Sequence, residues 1–250
     1  MPNLLGRVLS EGKTKIVRET ERSDVVLLEF KDSITALDGE KKDLIKGKAV
    51  INSHISAYFF KILEKNGVPT HMIEFIEPNM MKVKKLEMIP VEVVCRNIAA
   101  GHFVKNFPVA EGTLLNPPVV EFYLKDDARH DPMLNEDHFL VLGLASRKEV
   151  REIKKLTLKT NKVLSKDLKA KGLILVDFKI EVGRGKDGQI YVGDELNADS
   201  MRLWEIGTNK VLDKDVYRKG GSLKEVLNTY IQLYEKLLGE RPPIGGNLNE

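Results

Sequence analysis

Short apolar runs alternate with polar residues through the first part of the chain. Runs of this length, bounded by polar or turn-forming residues, are typical of β-strands. They occupy residues 5–9, 15–18, 25–30, 71–77, 80–84 and 89–96. Few turn-forming residues separate the last three runs, so we expect consecutive strands joined as hairpins.

One segment in this part of the chain has a different period. From about residue 46 to residue 65, apolar side chains such as Ile51 and Ile55 recur at spacings of three and four. This is the spacing of one face of an α-helix. Gly67 readily ends a helix, and Pro69 cannot continue one. The pattern therefore predicts an amphipathic helix between the strands.

Two further helices are indicated by capping boxes. In a capping box, a serine and a glutamate three residues later bond the free backbone N–H groups at the start of a helix. This spacing occurs at Ser146–Glu149 and Ser222–Glu225. The helical patterns that follow end near Gly172 and Gly239. Between these helices, residues 173–182 and 189–196 predict a pair of strands around a turn.

The middle of the chain, residues 101–138, is rich in proline, glycine, asparagine and aspartate. Long segments of this composition inside compact proteins are usually functional or disordered. The aromatic residues Phe122 and Tyr123 argue against disorder. We therefore expect a long irregular segment that contributes to function.

These elements predict three parts of the chain. Residues 1–84 form a small, strand-rich N-terminal lobe, and residues 85–241 form a larger, mixed α/β C-terminal lobe. Residues 242–250 follow the last predicted helix and are expected to be a flexible tail, because chain ends that pack against nothing are poorly ordered.

Composition narrows the class of protein. The chain has 250 residues, of which 31% are charged and 42% hydrophobic, as in soluble globular proteins. No apolar run approaches the roughly 20 residues that span a bilayer, so we expect no membrane partner. The single cysteine, Cys95, cannot form an internal disulfide, which fits a reducing cytoplasm. The net charge of +3 is too small to indicate a nucleic-acid partner.

The strand pair between the two capped helices carries the clearest candidate for chemistry. Because side chains alternate along a strand, Asp177, Lys179 and Glu181 share one face. The dipeptide Asp187–Gly188 is a strong signal for a two-residue hairpin turn. A turn of that length places Glu181 opposite Asp194.

Two directly opposed carboxylates repel each other and weaken a sheet. A divalent cation would turn this repulsion into a binding site, and oxygen ligands suit Mg²⁺ shared with nucleotide phosphates. We therefore predict that Glu181 and Asp194 bind Mg²⁺. The alternative is a solvent-exposed pair of acids, and a bulge at Gly183 or Gly185 would shift the register.

A second candidate lies between the first two predicted strands. Gly12 permits a tight turn and a close approach of backbone N–H groups to phosphate. Lys13 and Lys15 alternate along the chain, so both can leave the same face of a strand. The spacing differs from that of a Walker A motif. A surface hairpin with two solvated lysines is the alternative.

Two arginines are candidates for binding anions. Arg96 ends an apolar run that opens toward Gly101, and a guanidinium group can bind phosphate or carboxylate with two hydrogen bonds. Arg202 follows Asp199 and Ser200 in an acidic loop. The alternatives are that Arg96 bonds backbone carbonyls and that Arg202 pairs with Asp199 at the surface.

The order of these sites resembles the SAICAR synthetase family, the phosphoribosylaminoimidazole-succinocarboxamide synthases. The likeness extends over about residues 5–238 and depends on several motifs in a fixed order. They are Glu11-Gly12-Lys13-Thr14-Lys15, Ile89-Pro90-Val91-Glu92 with Arg96 and Gly101, Asp177-Phe178-Lys179-Ile180-Glu181, Gly193-Asp194-Glu195, and Ser200 with Arg202-Leu203-Trp204. The loops Asp38-Gly39, Asn116-Pro117-Pro118 and His130-Asp131-Pro132-Met133 fit the same family.

The resemblance implies a two-lobed fold of the α+β or α/β class, similar to ATP-grasp enzymes and protein kinases. It implies an enzyme that uses ATP and Mg²⁺ to join L-aspartate to the carboxylate of 5-aminoimidazole ribonucleotide 4-carboxylate (CAIR). The reaction passes through an acyl phosphate and gives SAICAR, ADP and phosphate. The resemblance also implies a cytoplasmic homodimer that binds small molecules.

The resemblance further implies roles for individual residues. ATP would be bound by Gly12, Lys13 and Lys15 at its phosphates and by Met81, Lys82 and Lys84, in a hinge between the lobes, at its adenine. Mg²⁺ would be bound by Glu181 and Asp194. The ribonucleotide would be bound by Arg96, Gly101, His102, Asp199, Ser200 and Arg202. The catalytic region around the reacting carboxylate would contain Asp38, Asp131 and Lys179.

Two positions depart from the pattern of the family. His102 stands where the family usually has serine, so an imidazole would have to replace a hydroxyl contact to the substrate phosphate. Val182 stands where phenylalanine is common, which is a change in packing.

Two other functions remain open from the residues alone. A phosphotransferase could use the same lysines and acids with ATP, although the His-Arg-Asp loop of protein kinases is missing from the sequence. An RNA-binding module would draw on the lysine-rich helix at residues 147–171, but aromatic residues make up only 6% of the chain and no RRM or KH signature occurs.

Overall fold

The structure is a computed structural model that describes residues 6–36 and 40–245. The predicted catalytic residue Asp38 lies outside the described residues. Within these ranges, no helix is long and apolar enough to cross a membrane. Two antiparallel sheets and the helices packed against them give the protein a mixed α/β architecture.

The N-terminal sheet contains strands β1 (Val8–Glu11), β2 (Lys15–Glu19), β3 (Val25–Phe30), β6 (Met72–Ile76) and β7 (Met80–Lys84). Their order is β1-β2-β3-β7-β6. Because β3 lies in the middle of this sheet, five of its six residues are buried, as its apolar sequence predicts. A separate hairpin of β4 (Ser33–Ala36) and β5 (Lys41–Leu44) follows β3 in the chain.

The C-terminal sheet contains β8 (Glu87–Ile98), β9 (Leu114–Leu124), β10 (Met133–Leu134), β11 (Leu173–Arg184), β12 (Ile190–Gly193) and β13 (Met201–Glu205). Their order is β10-β9-β8-β11-β12, and β13 also pairs with β11. The long central strand β11 therefore pairs with three neighbours, and its alternate side chains reach both faces of the sheet.

The described helices are α1 (Lys48–Lys65), α2 (His102–Asn106), α3 (Glu136–Val141), α4 (Arg147–Ala170), α5 (Asp215–Arg218) and α6 (Leu223–Leu238). The capping boxes at Ser146 and Ser222 begin α4 and α6, which confirms both predictions. Gly172 and Gly239 lie just beyond the ends of these two helices, and both have positive φ angles.

Helix α1 joins the two sheets into one core. It contacts β3, β6 and β7 of the N-terminal sheet, and it also contacts α4 and α6. Phe59 of α1, Met81 of β7 and Phe178 of β11 belong to a single cluster of buried apolar side chains. The first 84 residues therefore do not have a core of their own, although the sequence marks them as a separate lobe.

The two sheets are also connected through their backbones. Lys85 and Leu86 form the link from β7 to β8. Nearby, Thr70 and Val192 form a parallel bridge. The Val192 N–H donates to the Pro69 carbonyl at 3.0 Å, and the His71 N–H donates to the Val192 carbonyl at 3.0 Å. These bonds fasten one side of the N-terminal sheet to the C-terminal sheet.

The prediction of a long irregular segment at residues 101–138 is wrong. This segment contains β9, an eleven-residue strand that pairs with β8 and β10, together with α2 and α3. The strand was not predicted because it contains Pro117 and Pro118, and proline has no N–H to donate a hydrogen bond to a neighbouring strand. In the structure both prolines fall where the register between β8 and β9 shifts, and such irregular positions tolerate proline.

The described part of the predicted flexible tail is anchored. Pro242 is buried, and Ile244 packs against the apolar core. A Cβ atom placed on Gly47 would come within 2.9 Å of the Ile244 side chain, so this close contact depends on the glycine.

Candidate active site

A cavity of about 770 Å³ lies between the two sheets. Its apolar walls include Val26 and Val83 of the N-terminal sheet and Met88 and Ile180 of the C-terminal sheet. Lysine and acidic side chains make up much of its polar wall. Such a combination suits a ligand that has a flat apolar part and several negative charges.

Lys15, the first residue of β2, extends from the N-terminal sheet to acids of the C-terminal part. Its ammonium lies 2.9 Å from Asp194 Oδ1 and 3.1 Å from Glu195 Oε2. Burial opposes the charge of Lys15, but the two carboxylates raise its pKa above the usual range. The preceding turn is closed by the Gly12 N–H, which donates to the Lys15 carbonyl at 2.8 Å.

Glu181 and Asp194 both line the cavity, but they do not pair as predicted. Glu181 faces Gly193 across the ladder, one position before Asp194. The hairpin has a three-residue loop, since the Gly185 N–H donates to the Gln189 carbonyl at 2.9 Å. Gly188 takes the left-handed conformation typical of such loops, with φ of 75°. The prediction of a two-residue turn at Asp187–Gly188 is therefore wrong.

Asp194 reaches the cavity because the chain turns at this residue. A slip of one residue normally sends a side chain to the other face of a sheet. Asp194, however, lies just beyond the end of β12 and has a φ of 58°, so the alternation of the strand stops before it. The two acids meet at the cavity through this turn and not through cross-strand pairing.

The two acids have different affinities for a proton. Burial raises the pKa of Glu181 well above its usual value, and the negative charge of Asp194 raises it further. Burial also opposes ionisation of Asp194, but attraction and hydrogen bonding from Lys15 hold its pKa below the usual range. The carboxyl group of Glu181 therefore takes up a proton more readily than that of Asp194.

Lys125 is a cavity residue that was missed in the sequence. Its ammonium lies 2.5 Å from Glu181 Oε1. Lys125 therefore balances the charge of Glu181, as Lys15 balances the charge of Asp194. Lys125 immediately follows β9, the strand that the prolines concealed, and its position could not be inferred without that strand. We call Lys15, Lys125, Glu181, Asp194 and Glu195 the cavity network.

Lys179 and Asp131 also line the cavity, as two of the predicted catalytic residues. The Lys179 ammonium lies 2.6 Å from Glu92 Oε1, and Glu92 is another lining residue. Asp131 has a φ of 46° and accepts a hydrogen bond from the Asp126 N–H at 2.7 Å. This bond fixes the loop that carries Asp131.

The loop beyond β9 also meets the glycine turn of the N-terminal sheet. The Lys13 ammonium lies 3.1 Å from Asp127 Oδ1, and both side chains are largely exposed. Lys13 and Lys15 therefore differ in environment, because Lys13 sits at the rim and Lys15 is buried.

Asp199 and Ser200 line another part of the cavity wall. Asp199 is buried and accepts bonds from Lys48 at 2.6 Å, Tyr230 at 2.6 Å and Asn52 at 3.0 Å. Burial opposes its charge, but Lys48 and then Lys214 hold its pKa well below the usual range. Lys48 and Lys214 were not predicted to be near Asp199, because neither belongs to a motif that the sequence analysis identified.

Arg96 and Arg202 form a second group of buried charges. Arg96 bonds Glu121 at 2.6 Å and Asp177 at 2.8 Å. Arg202 bonds Asp177 at 2.8 Å and Asp215 at 2.9 Å. Burial opposes these charges, but Asp177 in particular raises the pKa of both arginines. We call these five residues the arginine network.

The partners of the two arginines are carboxylates. Neither a carbonyl-bonding Arg96 nor a surface pair of Arg202 with Asp199 describes what the structure shows. Among the described residues, the lining of the cavity includes neither arginine.

Gly101 lies against Arg202. A Cβ atom at residue 101 would come within 2.5 Å of Arg202 Nη2. Gly101 also has a φ of 57° and a ψ of −128°, a conformation that side chains oppose. His102 is exposed and begins α2 directly after this glycine.

The predicted hinge at Met81, Lys82 and Lys84 lies inside β7. Met81 is fully buried in the core, and the Lys82 ammonium bonds Glu74 at 3.0 Å. Of these three, the lining of the cavity in the described structure includes Lys84 alone. The link between the sheets is the next segment, Lys85 and Leu86, and both of its residues line the cavity.

His71 is a further lining residue that was missed in the sequence. Burial lowers the pKa of His71 to about 4, so the ring is neutral at pH 7. Its Nε2 atom is buried and has no hydrogen-bond partner within the described structure.

The acids of the cavity fit a magnesium ion that arrives with a nucleotide. Within residues 6–36 and 40–245, no group of three or more His, Cys, Asp or Glu residues could hold a metal ion. Glu181 and Asp194 offer two carboxylates, and Mg²⁺ commonly takes its other ligands from water and phosphate. Because Lys125 and Lys15 bond these acids, the ammonium groups would have to move aside for the ion.

Comparison with known proteins then places the chain in a family. Residues 8–236 match the family model of SAICAR synthetase. The chain belongs to the SAICAR synthetase family.

The similarity extends over nearly the full length of the relatives. The phosphoribosylaminoimidazole-succinocarboxamide synthase of Sulfurisphaera tokodaii is 49% identical over 92% of this chain and 97% of its own. A solved SAICAR synthetase in complex with ADP superposes with a TM-score of 0.89 at 43% identity, covering 93% and 98% of the two chains. The SAICAR synthetase of Pyrococcus horikoshii gives a TM-score of 0.86 at 43% identity, covering 91% and 99%.

In this member of the SAICAR synthetase family, the residues named from the resemblance lie in separate places. The cavity is lined by Gly12, Lys13, Lys15, Lys84, Asp131, Lys179, Glu181, Asp194, Asp199 and Ser200. Arg96 and Arg202 belong to the arginine network, with Gly101 and His102 beside it. The structure thus divides these residues between the cavity lining and the arginine network.

Proposed function

We propose that the protein is an ATP-dependent ligase of purine biosynthesis that joins L-aspartate to CAIR and forms SAICAR, ADP and phosphate. The observation that carries the proposal is the cavity in a member of this family, where apolar walls adjoin several lysines and the acids Glu181 and Asp194. A related structure contains ADP. The arrangement suits a nucleoside triphosphate, since its base is flat and its phosphates are anionic.

The lysines of the cavity bind the triphosphate. Lys13, Lys15 and Lys125 each bond a carboxylate in the structure. A phosphate oxygen replaces that carboxylate when ATP binds, so the charge of each ammonium stays balanced. Lysine suits such an exchange because its ammonium is a compact charge on a flexible stem.

Glu181 and Asp194 would hold Mg²⁺ together with the phosphates. Bound there, the ion would supply positive charge that offsets the charge of the phosphates during phosphoryl transfer. Because the pKa of Glu181 is raised, this acid would release its proton to hold the ion. The apparent affinity for Mg²⁺ would therefore increase as the pH rises.

Phosphorylation prepares the CAIR carboxylate for attack. A carboxylate oxygen of CAIR bonds the γ-phosphorus as the bond to ADP breaks. The amine of L-aspartate then attacks the acyl carbon, loses a proton and expels phosphate. Lys179 and Asp131 line the wall where these groups meet, and we assign Asp38 to the same region from the resemblance. Closure of the cavity protects the acyl phosphate from water.

The arginine network positions the phosphate of the ribonucleotide. Arg96 and Arg202 each use Nε and Nη1 for carboxylates. Arginine has five N–H donors, so further donors are left for a phosphate. Gly101 lets Arg202 Nη2 approach the turn before α2, and His102 stands at that turn. Asp199 and Ser200 contact the rest of the ribonucleotide.

We extend the proposal to the fold and the assembly. The two sheets act as the two lobes of an ATP-grasp-like or kinase-like enzyme, with the link at Lys85 and Leu86 as the hinge. Both of these residues line the cavity, which supports this role. From the resemblance to the family we also propose a cytoplasmic homodimer, and light scattering of the purified protein tests the dimer.

The test of the proposed function is formation of ADP with ATP, Mg²⁺, CAIR and L-aspartate together. We expect SAICAR and ADP in equal amounts and no SAICAR when any substrate is omitted. ADP formation that continues at the same rate without L-aspartate and CAIR contradicts the ligase. A phosphorylated acceptor formed without L-aspartate indicates a phosphotransferase instead.

A further inference from the structure

His71 lines the cavity, and one nitrogen of its ring is buried without a hydrogen-bond partner among the described residues. The residue is 4% exposed, and its Nε2 atom has no partner in the described structure. Buried polar atoms in folded proteins nearly always have a partner, so an exception in the wall of a ligand cavity points to a ligand atom.

The ring nitrogens of His71 have distinct roles. The ring hydrogen-bonds the backbone of Asp194. Because Nε2 has no partner, Nδ1 makes this bond and carries the proton that the Asp194 carbonyl accepts. A neutral imidazole with a proton on Nδ1 has a bare acceptor at Nε2. The ring also packs edge-on against Phe60, with 5.3 Å between centroids, and this contact holds its orientation.

The position of His71 narrows the choice of ligand atom. Its N–H bonds Val192, and its carbonyl accepts a bond from the Lys84 N–H at 2.7 Å. His71 therefore lies where the two sheets join, next to the apolar walls formed by Val83 and Leu86. A phosphate offers only acceptor oxygens at neutral pH and would repel Nε2. The donors on a nucleotide are the amino groups or ring N–H of the base and the hydroxyls of the ribose.

We propose that His71 accepts a hydrogen bond from the 6-amino group of adenine and thereby selects ATP over nucleotides with a 6-oxo purine. This inference rests on the ATP site proposed above. Adenine places a donor at Nε2, whereas inosine and guanine place an acceptor oxygen at the same ring position. An acceptor facing Nε2 leaves both buried atoms without a bond, and such a mismatch is costly.

Binding of ADP, IDP and 2′-deoxyADP, measured by calorimetry with Mg²⁺ present, tests the inference. We expect the natural protein to bind ADP about tenfold or more tightly than IDP. The variant His71→Leu loses the acceptor, so its affinity for ADP falls by about tenfold while its affinity for IDP changes by less than about twofold. His71→Gln keeps an acceptor oxygen and can also present its amide donors, so it binds ADP and gains affinity for IDP.

Thr160→Val is the matched control. The Thr160 hydroxyl is also a buried atom without a partner among the described residues, but it lies in α4 and not in the cavity lining. Removing it leaves the affinities for ADP and IDP unchanged. Thermal unfolding of each variant shows whether the protein remains folded, and His71→Gln serves if His71→Leu does not.

Two outcomes with His71→Leu overturn the inference. One is an unchanged ratio of ADP to IDP affinity, as an equal loss for both nucleotides would give. The other is a change only in the discrimination against 2′-deoxyADP, which assigns His71 to the ribose. If the natural protein binds none of these nucleotides, the ATP site itself is wrong. A natural protein that binds ADP and IDP equally well keeps the ATP site and rejects the role of His71.

Discussion

The cavity network and the arginine network are both buried groups of opposite charges, yet they are built differently. The cavity network connects β2 of one sheet to the end of β12 and to the loop after β9, through lysines. The arginine network stays around one sheet, where Asp177 of β11 is shared by Arg96 and Arg202. A lysine ammonium can exchange one anion for another, whereas a planar guanidinium holds its carboxylates in a fixed geometry.

The difference separates two ways of preparing for a ligand. In the cavity network, every acid and lysine already has a partner, so a nucleotide and its metal ion must replace existing bonds. In the arginine network, the carboxylates hold the guanidinium groups while other donors stay available. We therefore expect substitutions in the first network to affect mainly turnover and substitutions in the second to affect mainly stability.

The largest expected effect is that of Asp177→Asn on stability. Loss of this charge leaves two buried arginines without their shared partner, and breaking a buried ion pair costs about 3–5 kcal/mol. Urea unfolding measures the change. Asp24→Asn is the control, because Asp24 forms an exposed pair with Arg22, and we expect a change within about 0.5 kcal/mol. Equal changes in the two variants contradict the structural role of the arginine network.

Asp194→Asn tests whether a substitution in the cavity network affects turnover more than stability. Lys15 keeps Glu195 as a partner, so the melting temperature should change little. Turnover should fall by about 10²–10³-fold, or ~3–4 kcal/mol in the barrier, because a proposed metal ligand has lost its charge. Steady-state ADP formation and thermal unfolding measure the two effects. A large loss of stability with turnover preserved assigns Asp194 to the framework instead.

Gly101→Ala tests the contact between the arginine network and the proposed phosphate site. The strained conformation costs about 1–3 kcal/mol for a residue with a side chain, and the new Cβ displaces Arg202. Gly143→Ala is a matched control, because Gly143 has a φ of 65° but nothing lies within 4 Å of its Cβ position. Only Gly101→Ala should raise KM for CAIR. A similar KM in both variants removes Arg202 from the substrate site.

The smallest effect concerns a partly buried pair, Glu149 with Arg184, that serves as a reference for both networks. The hydrogen bond from Arg184, followed by that from the Ser146 N–H, lowers the pKa of Glu149 from 4.5 to about 2. A lowered carboxyl pKa stabilises the folded state above pH 4.5, and this stability is lost as the pH falls toward 2. Because the pair is partly exposed to water, which screens its charges, Glu149→Gln should cost only about 0.5–1 kcal/mol at pH 7.

Unfolding of Glu149→Gln across this pH range measures the dependence. The difference from the natural protein should shrink steadily below pH 4.5 and vanish near pH 2. A difference that stays constant with pH means that the charge of Glu149 is not its cause.

The elements that the sequence predicted well are those with a local cause. Ser146 and Ser222 begin helices through hydrogen bonds to residues three positions away. The continuous apolar run of β3 indicates that this strand is buried in the middle of a sheet. β9 was missed because its prolines are tolerated only by the register shift against β8, which lies in the neighbouring strand. The residues around the prolines do not show that pairing with β8 tolerates them, so the sequence of β9 alone does not predict this strand.

The site shows the same limit. The residues Lys15, Lys179 and Asp194, which the motifs singled out, line one cavity. The predicted pairing of Glu181 was wrong by one residue, because two-residue and three-residue turns share the sequence Asp187–Gly188. Lys125 and His71 are in the cavity because of tertiary structure. Each becomes recognisable only when its neighbours, Glu181 and Asp194, are known in space.

The backbone hydrogen bonds of Val192 with Pro69 and His71 make one side of the cavity different from the rest of its rim. They close the side where His71 and Leu86 lie, and the exposed pair of Lys13 and Asp127 lies elsewhere on the rim. If the two sheets moved apart, the movement would pivot at the closed side. Molecules would enter and leave past Lys13, so a purine held beside His71 would sit deepest, and a second substrate could be admitted or released without disturbing it.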